Sequence, residues 1–259
     1  MQPLPLKRPV WMVLAFAGVL AVLVGCGTSD YRRLMASRVD KVRTGAAFRT
    51  LFGPSQLPGT PIKIRVPMAF GKSYAENSPQ PPFLQLPGLK LCYEGTAADA
   101  TSAKLPFYCY LAAVPARPGD ADKLAADILA QLKRKLKETP DAWESKDAST
   151  PEGKALQWKR IRVVAEQPFL VMDAGKPTSK NMPGIFELWM YSAPEYIVLV
   201  GWRSPSSIEG RSPPVETAPI NPLQGAVDAK PDFAAMPVLT AGTLTIDADA
   251  APAADAAVP

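Results

Sequence analysis

The chain contains 259 residues and carries a formal net charge of +5, with 47% apolar and 20% charged residues. This balance is ordinary for a folded protein and excludes fully disordered and collagen-like chains. The sequence has 29 prolines, three cysteines and no histidine. Without histidine it cannot build Ser–His or Cys–His catalytic sites, histidine proton shuttles or histidine metal sites. Separately, no motif for a cofactor is found, and we expect neither a cofactor nor a metal.

The first 26 residues have the pattern of an export signal. Lys7 and Arg8 form a short basic region, and no charged residue follows between Pro9 and Cys26. The apolar run within this stretch is long enough for a signal-peptide core, but it is shorter than the ~20 residues expected of a membrane-spanning helix. It ends in the sequence Leu23-Val24-Gly25-Cys26.

Leu23-Val24-Gly25-Cys26 resembles the lipobox of bacterial lipoproteins. In that family the cysteine thiol receives a diacylglyceryl group, the chain is cut just before it, and the new amino terminus is usually acylated. The resemblance implies a cleaved signal peptide over residues 1–25 and fatty acids, palmitate among them, on Cys26. Several acyl chains anchor a protein stably to a membrane. The alternative is an uncleaved anchor helix with an incidental cysteine.

Lipidation would place the chain in the cell envelope, on the extracytoplasmic side of a membrane. Some bacterial groups mark lipoproteins for inner-membrane retention with an aspartate after the cysteine. Gly27 stands at that position here. If those rules apply, the expected location in a cell with two membranes is the outer one.

A basic tether is predicted over residues 26–55, helical around Asp30–Val42. Such a segment would lie close to the lipid surface and pair with anionic head groups, although a solvated tether that is merely basic is an equal alternative. Nucleic acid is not an expected partner, because the stretch lacks a binding motif and export removes it from the genome. The cations concerned are Arg32, Arg33, Arg38, Lys41, Arg43 and Arg49.

Residues 56–204 are predicted to form one α+β domain. Alternating apolar residues predict a strand over Ile62–Val66, and two further strands, Leu89–Glu94 and Pro106–Leu111, predict a hairpin. One long amphipathic helix follows, capped by Asp120 and stopped at Thr139-Pro140, and we expect it to pack on a sheet. A cationic membrane-binding helix is the alternative. The apolar stripe consists of Leu124, Ile128, Leu129, Leu132 and Leu136.

More strands are predicted beyond the helix. They cover residues 156–164, with a phase slip near Lys159-Arg160, then 169–172, 184–192 and 196–202. The segment Ile197–Val200 is apolar on both sides, which is typical of a central strand covered on both faces. The order of strands, one long helix and further strands resembles that of Mog1/PsbP-like α+β sandwiches. This resemblance implies an antiparallel sheet that carries helices.

Residues 205–259 are predicted to be a disordered acidic tail rich in proline and alanine. The segment has nine prolines and seven acidic residues, and its only basic residues are Arg211 and Lys230. Such a composition buries too little apolar surface to offset the entropy lost on ordering. The exception is Val238–Thr240, which we expect to dock transiently on the domain.

Cys92 and Cys109 form an even pair in an oxidising compartment. If the predicted hairpin closes symmetrically, the two cysteines lie opposite one another at a separation that a disulfide accepts. Such a bridge would stabilise the fold by about 3 kcal/mol. The alternative is two buried free thiols beside tyrosines. No metal role is expected, because two cysteines without histidine provide too few ligands.

An aromatic cluster is the candidate binding site. Indole and phenol rings beside a carboxylate could form a groove for a peptide or polymer, although a hydrophobic core is the more ordinary interpretation. No complete phosphate-loop or nucleophile motif is present, so no catalytic residue is assigned. The candidate groove residues are Trp158, Glu187, Trp189, Tyr191 and Trp202.

The sequence therefore predicts a membrane-anchored envelope lipoprotein without catalytic activity. Its expected role is to bind or support an unknown envelope protein or polymer at the membrane surface. The alternative is a hydrolase that cleaves an envelope polymer with carboxylates. A hydrolase of that kind would need clustered carboxyl groups that line a cleft, with a raised pKa on the acid.

Overall fold

The computed structural model describes residues 31–38, 47–74, 79–101, 103–136, 139–173, 176–208 and 233–246. The chain divides into two compact units, Met1–Thr44 and Gly45–Pro259. In the first unit, residues 31–38 form a solvent-exposed helix, α1. The helical prediction for the tether is thus confirmed for these residues.

The second unit is an α+β fold in which antiparallel strands predominate. One sheet contains β3 (Phe70–Tyr74), β4 (Leu89–Ala98), β5 (Lys104–Pro115), β6 (Glu144–Ser149), β7 (Ala155–Asp173), β8 (Lys176–Ser192) and β9 (Tyr196–Pro205). Its spatial order is β3-β4-β5-β9-β8-β7-β6, with every neighbouring pair antiparallel. A smaller sheet has the order β1-β2-β10, formed by Ser55–Gln56, Ile62–Ile64 and Thr245–Ile246.

The strongest helical pattern of the sequence becomes helix α2, Asp120–Lys135. Ala125, Ile128 and Leu132 recur at helical spacing, and all three are buried in the same hydrophobic cluster as residues of the large sheet. The predicted cap is wrong by one residue. Gly119 occupies the N-cap position with φ at 91°, a conformation that favours glycine, and Asp120 is the first helical residue.

Strand β7 corrects two predictions: residues 156–164 and 169–172 belong to one strand, and that strand has no phase slip near Lys159-Arg160. Its pairing with β8 keeps one register from Lys159 to Asp173. The apparent slip arises because the buried face changes along the strand. Trp158 is buried on one face, whereas Ile161 and Val163 are buried on the other. The central-strand prediction is confirmed, since β9 lies between β5 and β8 and is buried throughout.

Two segments of the predicted disordered tail belong to the fold. Ser206–Ile208 form a short 3₁₀ turn with a buried Ile208, and Met236–Ala241 form a helix, α3. Phe233 lies just before α3, and its ring centroid is 4.8 Å from that of Phe107. The disorder prediction is therefore wrong for residues 205–208 and 233–246, whereas 209–232 and 247–259 lie outside the described residues.

The folded unit also begins before residue 56. Phe48 and Leu51 are buried, and Leu51 forms an isolated antiparallel bridge with Pro67. At the other end, β10 pairs with β2, so that Thr245 lies opposite Lys63. The small sheet thus joins the beginning of this unit to the last residues that the structure describes.

Candidate functional site

The predicted aromatic groove is part of the hydrophobic core. Trp158, Trp189 and Trp202 are only 1%, 3% and 2% exposed, and Tyr191 is half-buried. Trp158 lies 6.3 Å from Trp189 and 5.2 Å from Tyr191 between ring centroids, whereas Trp202 packs separately against Phe107 at 5.9 Å. The structure corrects the groove interpretation, because buried indoles offer no surface to a polymer.

Glu187 is the centre of a buried ion-pair network. Trp189 donates its indole N–H to Oε1 at 2.6 Å, and Arg160 donates to Oε2 at 3.0 Å. The Nε atom of Arg162 lies 3.8 Å from the same Oε2. Both oxygens of this carboxylate are therefore engaged by groups of the protein itself.

Cys92 and Cys109 are both buried and free. The predicted hairpin is confirmed, but Cys92 lies opposite Tyr110 and Tyr93 lies opposite Cys109. This register differs by one residue from the symmetric pairing, and successive strand residues point to opposite faces of a sheet. The two thiols thus lie on opposite faces, and the expected disulfide is absent from the structure.

The large sheet also buries an arginine that the sequence analysis missed. Arg203 is 5% exposed; its Nε donates to Oε1 of Gln167 at 3.1 Å, and its Nη2 donates to the carbonyl oxygen of Pro168. Its guanidinium carbon lies 4.3 Å from the ring centroid of Phe169 and 5.3 Å from that of Tyr108. Nowhere in the described ranges does a carboxylate lie within ion-pair distance of this cation. Ring faces and carbonyl oxygens stabilise its charge instead.

The residues that hold the guanidinium of Arg203 form a clamp, which consists of Tyr108, Gln167, Pro168 and Phe169. Close packing across β8 shapes this clamp. A Cβ on Gly184 would lie 2.7 Å from the ring of Phe169 and 3.1 Å from the side-chain amide carbon of Gln167. A side chain at position 184 would therefore push away both residues that hold the guanidinium. In the sequence, Arg203 resembles an ordinary polar residue at the end of a strand. The hydropathy pattern therefore does not indicate that its side chain is buried.

Neutral thiol and phenol groups surround the buried cation. Burial, together with the charge of Glu94, raises the pKa of Cys92 and the pKa of Tyr108 to about 12 each, although Arg203 acts in the opposite direction. Burial also raises the pKa of Tyr110. All three groups are therefore protonated in the folded protein at neutral pH.

These shifts predict a loss of stability in alkali. In the unfolded chain the thiol of Cys92 loses its proton near pH 9 and the phenol of Tyr108 near pH 10, whereas both keep it to about pH 12 when folded. The unfolded state then binds fewer protons, so the free energy of unfolding falls as pH rises above about 9. Urea unfolding between pH 7 and pH 11 measures the slope of the free energy of unfolding against pH. Tyr108→Phe should reduce it, whereas Tyr31→Phe, at an exposed position, should not; equal slopes for both variants would contradict the assignment.

A cavity of about 590 Å³ opens between α2 and the proline-rich loop 79–88. Two hydrogen bonds fix the loop wall: Oε1 of Gln80 accepts from the Leu86 N–H at 2.8 Å, and Nε2 of Gln80 donates to the Leu86 carbonyl at 3.4 Å. Phe83 is buried and anchors the loop, since its ring centroid lies 4.9 Å from that of Phe186.

The helix wall of this cavity is polar and basic. Gln131, Arg134 and Lys135 line it from the last turns of α2. The sequence showed the prolines and the basic helix end separately, but only the fold brings them to one cavity. A basic last turn is the ordinary complement of a helix dipole, so the sequence alone does not indicate a site here.

The predicted signal peptide and Cys26 lie outside the described residues, as do Lys41 and Arg43 of the tether. Arg32, Arg33 and Arg38 are exposed on α1, and Arg49 is exposed in the second unit. In the part of the chain that the structure describes, no helix is long and apolar enough to cross a membrane. The same residues contain no group of three or more side chains suited to hold a metal ion.

Comparisons with known protein families, curated proteins and solved structures find no match.

Proposed function

We propose that this protein is a lipid-anchored protein of the cell envelope whose second unit is a binding module. The observation that carries the proposal is the N-terminal sequence, in which a basic pair and an uncharged apolar run lead to Leu23-Val24-Gly25-Cys26. Diacylglyceryl and acyl groups on Cys26 would hold the chain at the extracytoplasmic surface of a membrane. Gly27 favours the outer membrane if the cell has two.

The exposed arginines of α1 support a position close to the lipid surface. Arg32, Arg33 and Arg38 follow the proposed lipid attachment site within twelve positions, and all three are exposed to solvent. Each cation near an anionic membrane surface contributes about 1 kcal/mol to binding. We therefore propose anionic head groups as a second contact beside the acyl chains.

The ionisable groups favour binding over carboxylate-dependent hydrolysis. Glu187 is held by Trp189 and Arg160 inside the core, so it faces no substrate. Asp122, Asp141 and Asp173 each accept a hydrogen bond from a lysine, which lowers the pKa of each carboxyl. A general acid for glycoside cleavage needs the opposite shift.

We further propose that α2 packs on one face of the large sheet, as in Mog1/PsbP-like sandwiches. Ala125, Ile128 and Leu132 share a buried hydrophobic cluster with the sheet, which supports this arrangement. An ion pair between Asp122 and Lys159 of β7 supports it as well. Such a face-on helix would leave the loop 79–88 beside the carboxyl end of α2.

Replacing Cys26 with Ser tests the proposed anchor. The thiol is the acceptor of the diacylglyceryl group, so Cys26→Ser should lose all label from radioactive palmitate and accumulate as an uncleaved precursor. The full chain is expressed in a bacterium with two membranes, and label and N-terminal mass are measured. Cys92→Ala is the control, because it removes a buried cysteine and should keep the label. A Cys26→Ser chain that is still cleaved and labelled would overturn the proposal.

A further inference from the structure

We propose that the cavity between α2 and the loop 79–88 binds a small phosphate monoester that carries a ring or a comparable apolar group. The inference goes beyond the proposed anchoring, because it requires neither Cys26 nor a membrane. It rests on three features of the cavity: two cations that form no ion pair with any described residue, an apolar part of the wall and a loop that is already ordered.

The two cations at the cavity differ from their neighbour on the same helix turn. Lys133 forms an ion pair with Asp141 at 2.9 Å and does not line the cavity. Arg134 and Lys135 do line it, are exposed, and form no ion pair within the described ranges. Charge is therefore available where the ligand would lie.

The number of charges favours a phosphate monoester over a carboxylate. A phosphate monoester carries between one and a half and two negative charges near pH 7, which two adjacent cations can match. A guanidinium also presents two parallel N–H groups to phosphate oxygens, while an ammonium acts as a point charge. A carboxylate would leave one of the cations Arg134 and Lys135 unmatched.

The opposite wall is suited to a ring. Pro82 lines the cavity from an exposed position, Pro81, Phe83 and Leu84 line it beside Pro82, and Gln85 and Gln131 add amide groups. Polar and apolar groups contribute about equally to the lining, and the volume of about 590 Å³ lies within the usual range of small-molecule sites. The cavity thus separates a charged end from an apolar end.

The loop is held in shape before any ligand arrives. The side chain of Gln80 accepts from and donates to the backbone of Leu86, and the Leu84 N–H donates to the Pro81 carbonyl at 3.2 Å. Prolines restrict the backbone further. Binding would therefore cost little ordering entropy, which is the condition under which a few contacts yield measurable affinity.

Phenyl phosphate is the probe for this inference. The full chain, labelled with ¹⁵N and held in detergent micelles, is titrated while amide resonances are followed. The resonances of Leu84, Gln85 and Gln131 should shift and saturate. The double variant Arg134→Gln/Lys135→Gln should weaken binding by about tenfold or more, since each lost charge-assisted hydrogen bond is costly. Lys133→Gln removes one charge from the same turn and should change the affinity by less than twofold.

Two further ligands separate charge from ring. Phenylacetate keeps the ring with one charge, and inorganic phosphate keeps the charge without a ring, so each should bind more weakly than phenyl phosphate. Absence of saturable shifts, equal binding by the double variant and Lys133→Gln, or phenylacetate binding as tightly as phenyl phosphate would each overturn the inference. Cys26→Ser should bind phenyl phosphate normally, so failure of the anchor and failure of this site are distinguishable.

Discussion

Ending the chain at Ile208 is expected to abolish the cooperative unfolding transition of the second unit. The truncation removes Phe233, Met236 and Leu244, which are only 2%, 1% and 7% exposed. Burial of each such side chain contributes about 1.5–3 kcal/mol, so the three together contribute on the order of 6 kcal/mol. A typical domain has about 5–15 kcal/mol of total stability, and this loss is a large share of it. The truncation also removes β10 from its pairing with β2.

Circular dichroism during thermal and urea unfolding measures this loss. The matched control ends at Ile246, which keeps every contact that the structure describes in the second unit and should retain the transition. Phe233→Ala supplies a milder test in the full chain. It removes the ring that packs on Phe107 at 4.8 Å and should cost about 3–5 kcal/mol. A chain ending at Ile208 that melts like the control would show that α3 and β10 are dispensable.

Replacing Arg203 with Ala is expected to lower the free energy of unfolding by about 2–5 kcal/mol. The guanidinium fills the space between the rings of Phe169 and Tyr108, and it donates to Gln167 and Pro168. Its removal leaves the buried Oε1 of Gln167 without this donor and opens a cavity beside two rings. Both effects are costly because the surrounding packing relaxes only in part.

Urea unfolding of three variants separates these effects from loss of charge. Arg117 is exposed, so Arg117→Ala should change stability by less than about 0.5 kcal/mol. Arg203→Lys keeps the charge but lacks the planar group that packs on the rings. Its free energy of unfolding should therefore lie between those of Arg203→Ala and the original chain. An Arg203→Ala variant as stable as Arg117→Ala would mean that the clamp makes no contribution.

Local patterns correctly predicted the elements whose burial follows one regular pattern along their whole length. Helix α2 follows from its apolar spacing, and β9 follows from a run that is apolar on both sides. The sequence did not predict the edge strands β3 and β6. In β6 only Ala148 is buried, so the strand shows no alternation of apolar and polar residues. Polar, short edge strands are what protects a sheet from pairing with other chains, so their lack of pattern has a physical cause.

The candidate sites were less predictable than the strands. Burial of Trp158 and Glu187 depends on which face of the sheet is covered, and composition does not encode that. The predicted disulfide between Cys92 and Cys109 is wrong because the strand register is shifted by one residue. Such a shift places the two thiols on opposite faces of the sheet. The cavity beside Arg134 and Lys135 needed a loop some fifty residues earlier in the chain to fold against α2.

The sequence by itself determined the α+β class, the helix α2 and the principal hairpins, because each depends mainly on patterns among residues that are neighbours along the chain; the export signal stays a prediction from the sequence. Only the tertiary structure decided that residues 233–246 are part of the fold, that Arg203 is buried and that the basic end of α2 lines a cavity. Phe233 and Met236 stand in a segment whose composition alone predicts disorder. They fold because the sheet offers a complementary apolar surface, so their burial is favourable only in the presence of residues far away in the sequence.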